Sequence, residues 1–348
     1  MNGPLPSQSE PTLVRVRRRL AAVSLVAVLA VLLLLTAPGW LLLTALLGLL
    51  RPATRFGALR TGLALTWAAV HELSGVTVLT WGWVSSGFGA GAERLVRHTH
   101  GVQAWWCRMH LAVLRGLFGL PLQVEGLDAF RARPTILLMR HTSMLDTVLP
   151  PSLLVPAHGV NMRYVLKREL LVDPCLDIAG NRIPNVFVRR GAKGAAAERE
   201  LEHVRQLAAT MADDDVVVLF PEGTRASARK RERALARIGE RAASGDARAA
   251  VLLAKSQPLR HLMPLRLGGA VSLLRGRPDA DVVFASHTGF EELAGFSALM
   301  SGTLVGTTIR VRFRRVEGPA PSRTDEELED WLLEQWLAVD QDVEELRG

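Results

Sequence analysis

From Leu20 to Leu50 the chain runs for 31 residues without one charged side chain. No other feature limits the fold so strongly. A bilayer core about 30 Å thick is crossed by about 20 apolar residues in a helix. Backbone amides at that depth must be satisfied within the segment, so helix is the expected state. The run is too long for the apolar core of a signal peptide, which spans roughly 7–15 residues. Pro38-Gly39 lies near its middle and predicts a break, giving a tilted, kinked or re-entrant hairpin. Arg15, Arg17, Arg18 and Arg19 precede it. Residues 1–19 therefore read as a basic, unstructured tail, and the arginines favour a cytoplasmic N-terminus.

Leu63 to Phe88 is a second apolar stretch, with Trp67, Trp81 and Trp83 and an internal His71-Glu72 pair. Ionisable residues at membrane depth are costly and read as functional by default. The alternative is a pair packed against the first helix, or a segment lying at the interface, where Trp is at home. Residues 93–118 can form an amphipathic helix with Leu95, Val102, Trp105, Trp106, Met109, Ala112 and Val113 on one face. Such a helix suits an anionic membrane surface, and equally the surface of a globular domain. Residues 20–92 are thus expected to anchor the chain in a membrane, ahead of a domain over 93–348 with its core at about 105–290.

Lys and Arg outnumber Asp and Glu by 42 to 34, a formal charge of +8. A basic surface seeks phosphate, on nucleic acid or on lipid. No zinc-finger spacing, recognition-helix pattern or aromatic stacking motif supports nucleic acid, and the apolar N-terminal third favours lipid. Cys107 and Cys175 are the only two cysteines. They match no thiolate metal site or redox motif and read as small buried apolar residues. No metal is expected.

Beyond residue 120, short β-prone runs alternate with helical ones. Strands are expected at Gln123–Glu125, Thr135–Arg140, Arg163–Leu166, Val186–Arg189, Val216–Phe220, His261–Leu267, Asp281–His287 and Thr308–Val316. Helices are expected at Ser143–Leu154, Lys193–Met211, Ala228–Lys255 and Thr324–Leu346, the last opened by a Thr324/Glu327 capping box. This alternation predicts an α/β domain around a buried central sheet.

Two motifs carry chemistry. His141 ends the run Ile136-Leu137-Leu138-Met139-Arg140, and Asp146 follows five positions later. Strand ends are where α/β folds place their sites. A carboxylate at one imidazole nitrogen fixes the tautomer and leaves the other nitrogen basic. Thr142 and Ser143 stand beside it as alternative nucleophiles, though direct base catalysis is simpler. The second motif is Phe220-Pro221-Glu222-Gly223-Thr224-Arg225, leaving another buried run. Gly223 permits a tight turn or close ligand approach. Arg225 offers a planar fork for phosphate. Glu222 either accepts from an alcohol or holds the loop.

His141-x4-Asp146 and Phe220–Arg225, in this order and separation, resemble the signature motifs of the glycerolipid acyltransferases, the 1-acylglycerol-3-phosphate acyltransferase superfamily. Val186-Phe187-Val188-Arg189-Arg190 resembles the family's middle motif, with Arg189 the better match for an arginine that holds the acceptor's phosphate. His261-Leu262-Met263-Pro264-Leu265-Arg266 resembles its proline-centred fourth motif, which assigns Pro264 to the acyl-donor site. The resemblance covers about residues 105–290. It implies a glycerol-3-phosphate acyltransferase-like α/β domain with a central mixed sheet, preceded by N-terminal membrane helices. It implies His141 and Asp146 as catalytic residues and Arg189, Glu222, Gly223, Thr224 and Arg225 as the acceptor site. The implied reaction moves an acyl group from acyl-CoA or acyl carrier protein, used as a substrate, onto 1-acylglycerol 3-phosphate, giving phosphatidic acid. No cofactor is implied. Partners are membrane lipid, the lysophospholipid acceptor and the acyl donor, at a bacterial inner membrane with the domain in the cytoplasm. The basic stretch between Arg225 and His261 departs from the compact bacterial pattern and leaves other acceptors open: another lysophospholipid, glycerol 3-phosphate or a glycolipid. A non-catalytic membrane lipid-binding protein and a small transporter are the readings outside this class.

Overall fold

A computed structural model describes residues 10–189, 191–291 and 296–348. Helix α1 spans Thr12–Leu35 and α2 spans Ala37–Leu50, with the break at Thr36. Pro38 sits in the first turn of α2, where a missing amide costs nothing. The predicted break is therefore present. Helix α3, Gly57–Ser85, packs on both. α1 and α3 are each long and apolar enough to cross a membrane. α1 buries only Ala30 and leaves Leu25, Val28, Leu32 and Leu35 exposed.

The expected unstructured tail over 1–19 is corrected by this geometry. Residues 1–9 lie outside the described residues, but α1 begins at Thr12. Arg18 grips the buried Asp177 carboxylate at 3.0 Å and Arg19 reaches it at 3.2 Å. Two of the four arginines thus fasten α1 to the rest of the protein.

The His71-Glu72 pair is buried, not against the first helix but against α4 (Ala92–Phe118) and α6 (Pro174–Gly180). The His71 ring stacks on Trp67 at 4.8 Å and meets Trp105 edge-on at 4.6 Å. Glu72 Oε1 accepts the Cys175 amide at 2.6 Å, and its carbonyl accepts the Cys175 thiol at 3.1 Å. The pair is packed inside the protein, but its partners are α4 and α6 and not the first helix that the packing alternative named. Both cysteines are buried and free, as expected. α4 fully buries Val96, Thr99, Val102, Cys107, Leu111 and Phe118; of the predicted face Val102 is among them, and Trp105 and Trp106 are half-buried against the core.

Among the described residues seven strands form one mixed sheet in the order β1-β7-β6-β2-β5-β3-β4. They are β1 (Leu122–Glu125), β2 (Thr135–Met139), β3 (Asn161–Lys167), β4 (Val186–Val188), β5 (Asp215–Leu219), β6 (Asp281–Thr288) and β7 (Ile309–Val316). Every pairing is parallel except β6–β7. Strands β2 and β5 are buried at every position, the continuous apolar texture of parallel strands covered on both faces. On one face Leu137, Met139 and Val218 pack with α4 and α5 (Leu149–His158). On the other, Ile136, Leu138 and Val217 pack with α7 (Ala195–Ala209), α10 (Leu267–Gly276) and α12 (Asp325–Arg347).

Three expected elements differ. His261–Leu267 is no strand. The amides of Arg260, His261 and Leu262 go to the Asp340 carboxylate and that of Met263 to Glu222, which takes the first half of the segment out of any ladder. Ala228–Lys255 is two helices, α8 (Ala228–Ala243) and α9 (Ala247–Ser256). Gly245 turns the chain at φ +92° and Asp246 caps α9 through the Ala249 amide at 2.9 Å. Ser143–Leu154 opens as a 3-10 turn, Met144–Val148, before α5. Pro150 and Pro151 can only start that α-helix, not continue an earlier one.

Candidate active site

β2 and β5 are adjacent and parallel, with Leu138 opposite Leu219. Their C-terminal loops therefore leave the same edge side by side. One carries His141–Asp146 and the other Pro221–Arg225. The two are tied directly, since the Ala226 amide donates to the His141 carbonyl at 2.7 Å.

Asp146 is wholly buried and spends its carboxylate on this loop. Oδ2 accepts the Ser143 amide at 2.8 Å, the Thr142 amide, and His141 Nδ1–H at 3.1 Å. Ser143 closes a capping box with Asp146, its Oγ accepting the Leu145 amide at 3.2 Å. The sequence S-M-L-D thus builds the turn and aims the carboxylate at once. Ser143 is a cap, and both hydroxyls are buried, so neither takes the nucleophile's place. The amides of Thr142 and Ser143 are likewise spent on Asp146 and are not available to an oxyanion. The His141 side chain is 11% exposed and its ring leans on Phe220 at 4.5 Å. Nδ1 faces the carboxylate, so the basic lone pair is on Nε2, which makes no hydrogen bond to the described residues.

Glu222 is buried at 1% exposure and touches backbone only. Its Oε1 accepts the His141 amide at 2.6 Å and Oε2 the Met263 amide at 2.9 Å. Of the two roles open to it, the structure displays the loop strut. Burial pushes its pKa up to about 8, against the two amide donors that favour the charged form. Gly223 has φ +65°, and a Cβ there would lie 2.6 Å from Arg266 Cδ. The left-handed backbone favours glycine, while the close neighbour is the flexible Arg266 side chain, which can move aside. Thr224 is half-buried and Arg225 exposed.

Arg189 is exposed just past β4. Since β5, β3 and β4 are parallel neighbours, it leaves the same sheet edge, two strands or ~10 Å from β5. Arg190 lies outside the described residues. Pro264 is buried in the irregular segment that Glu222, Asp340 and Trp336 hold, the last donating Nε1–H to the Met263 carbonyl at 3.1 Å.

Sequence reasoning missed four contributors. Arg266 is exposed, lies over Gly223, and donates its amide to Pro221 at 2.8 Å. It sat inside a quoted motif but was read as strand. Arg140 and His287 are buried beneath the base, and Glu291 pairs with Arg140 at 2.6 Å. Burial holds the His287 pKa below its ordinary value, so the ring is neutral. Among the described residues no cluster of His, Cys, Asp and Glu could hold a metal ion.

Residues 121–264 match the acyltransferase family model. Over that segment, less than half of its length, the chain is similar to the acyltransferases. The 1-acyl-sn-glycerol-3-phosphate acyltransferase of Pseudomonas aeruginosa is 28% identical over 120 residues, 34% of this chain and 44% of that protein. The lyso-ornithine lipid O-acyltransferase of Rhizobium meliloti is 31% identical over 108 residues, 31% of this chain and 33% of that protein. The chain spans less than half the length of either curated relative. A solved structure, the 1-acyl-sn-glycerophosphate (LPA) acyltransferase PlsC from Thermotoga maritima, is similar at TM-score 0.45 and 15% identity. It covers 80% of this chain and 98% of that one, a likeness too slight to carry an argument. The matched segment contains every predicted site residue, from His141 to Pro264.

Proposed function

We propose that the protein is a membrane-bound O-acyltransferase acting on the free hydroxyl of a phosphate-bearing lysolipid, with 1-acylglycerol 3-phosphate as its acceptor and phosphatidic acid as its product. The observation that carries this reading is His141 Nδ1 at 3.1 Å from a fully buried Asp146. His141 Nε2 takes the hydroxyl proton as the oxygen attacks the carbonyl carbon of an acyl thioester. The tetrahedral intermediate collapses, the C–S bond breaks, and His141 returns the proton to the leaving thiolate. No covalent acyl-enzyme and no cofactor is required. The donor is acyl-CoA or acyl carrier protein, with the segment around Pro264 on its side of the site.

Arg225 and Arg189, both exposed at the same sheet edge, hold the acceptor's phosphate. Gly223 and Thr224 shape the turn between base and anion, and Glu222 acts by fixing that turn. Alignment of the two substrates supplies several kcal/mol of the barrier reduction, roughly 7–11 at most. The uncovered apolar surface of α1 supports residence in the membrane that holds the acceptor. The Arg18 and Arg19 contacts to Asp177 put the basic N-terminus of α1 on the catalytic domain's side, which supports a bacterial inner membrane with the domain cytoplasmic.

The test is mass spectrometry of products from purified full-length protein in detergent. It is offered acyl-CoA or acyl carrier protein, with 1-acylglycerol 3-phosphate, other lysophospholipids, glycerol 3-phosphate and lysoglycolipids in competition. Phosphatidic acid is the expected main product. A different acylated lipid moves the acceptor assignment, and no acylated product from any pair leaves only lipid binding.

A further inference from the structure

We propose that His287 is a positioning residue for the His141–Asp146 pair, clamping both the backbone that carries the base and the carboxylate that orients it. The inference rests on the base role given to His141 above.

β2 and β6 run parallel with Met139 opposite Ala285, and the Arg140 amide still donates to the Ala285 carbonyl at 3.2 Å. The pairing then changes kind. Arg140 Nη1 donates to the His287 carbonyl at 2.5 Å, and His287 Nε2–H donates to the Arg140 carbonyl at 3.1 Å. Each side chain thus holds the other residue's backbone. Arg140 is the residue immediately before the base, so this reciprocal pair fixes where the His141 backbone begins. The same Nη1 also donates to Glu291 Oε1 at 2.6 Å, and the other Glu291 oxygen accepts the Gly289 amide at 2.7 Å.

The Arg140 carbonyl is an acceptor only, so His287 carries its proton on Nε2. That nitrogen also lies 3.6 Å from Asp146 Oδ1. The distance is too long for a hydrogen bond, but both groups are fully buried, where a polar N–H acts on a carboxylate with little screening. Oδ2 is saturated by two amides and His141. Oδ1 has only Thr142 Oγ1, at 3.5 Å, besides this imidazole. Rotation of the carboxylate would carry Oδ2 away from His141, and His287 stands against it. The ring earns nothing elsewhere: Nδ1 is buried without a partner and its face meets Phe290 at 5.9 Å. A leucine here would avoid that unpaired nitrogen, so the useful atom is Nε2.

A packing role and a positioning role differ in what replaces the ring. Gln carries an N–H to about the reach of Nε2, Asn stops at about that of Nδ1, and Phe fills the volume without a donor. In full-length protein, His287→Asn and His287→Phe should lower kcat by about 10- to 100-fold with both KM values held within about twofold, and His287→Gln should recover to within about threefold of wild type. If all three folded variants keep kcat within about twofold of wild type, the clamp is wrong. Should His287→Phe fail to fold, equal kcat in the Asn and Gln variants overturns it. Imidazole ¹⁵N shifts of His141 give a readout without turnover. The Nδ1–H tautomer should dominate in wild type and lose population in His287→Asn, and an unchanged tautomer overturns the proposal. A wild type that transfers no acyl group would instead remove the enzymatic reading, while the tautomer measurement still decides the clamp.

Discussion

The two halves of this site are built in opposite ways. On the His141 side every polar atom of Asp146 faces a partner, Glu222 is spent on two amides, and the charged groups are buried. On the arginine side Arg189, Arg225 and Arg266 are all exposed. The first half is finished before any substrate arrives, because a general base needs a fixed tautomer and a fixed aim. In the proposed reaction the second is left open, because its partner is an anion that the substrate brings. A buried arginine would demand its own carboxylate, as Arg140 does with Glu291. In that proposal preorganisation resides where the proton moves, and adaptability where the phosphate binds.

The contrast breaks most visibly at the base. His141→Ala should lower kcat by about 10³-fold with the thermal midpoint unchanged, because the ring is partly exposed and supports little else. Thiol release and a melting curve on the same sample check both halves, and retained turnover would refute the base assignment. A smaller effect is expected across the site. Arg225→Ala and Arg266→Ala should each raise the acceptor KM by about tenfold, near the lower end of a charge-assisted hydrogen bond. Donor KM and kcat should stay nearly constant. The wild-type acceptor KM should also rise with ionic strength, as exposed charges are screened beyond about 10 Å at 0.1 M salt. Were the arginine variants to lose kcat at constant KM, the two halves would not be separate in the way described.

How far the site was legible from sequence follows the same division. His141, Asp146, Glu222 and Arg225 are close in sequence to strands whose apolar runs are plain, so local pattern placed them at strand ends. Seven of the eight expected strands exist for that reason. His261–Leu267 failed because its amides bind Asp340 and Glu222, partners 80 and about 40 residues away in the chain that no local pattern announces. Arg266, Arg140 and His287 escaped notice likewise. Arg140 read as the last residue of a strand, and His287 as a polar end to another. Only the parallel pairing of β2 with β6 brings their side chains together. The α4 face was placed only in part: Trp105 and Trp106 do pack inward, but Cys107, Leu111 and Phe118 do so as well, and one helix's pattern cannot say how far α3 and α5 wrap around it.

The least conspicuous consequence concerns Glu222, the strut beneath both halves. Its folded pKa is raised from 4.5 to about 8, chiefly by burial. Between those values the folded protein holds a proton that the unfolded chain has released. Stability then falls as pH rises through that window, and the contribution is complete only below the unfolded value. Asp173 and Asp215 are also raised, first by burial, and they add a slope of the same sign. Only the difference between wild type and Glu222→Gln isolates the strut. The amide cannot ionise, so thermal midpoints of the variant in detergent should vary less between about pH 5 and pH 8 than those of wild type. Its –NH₂ must face either the His141 or the Met263 amide, which leaves one buried donor unpaired and costs about 1–3 kcal/mol at every pH. The two curves should therefore lie furthest apart at acid pH and converge as wild type approaches pH 8. Parallel curves would mean that Glu222 stays charged throughout, with its two amide donors outweighing burial. The strut would then be a buried charge held by its two amide donors.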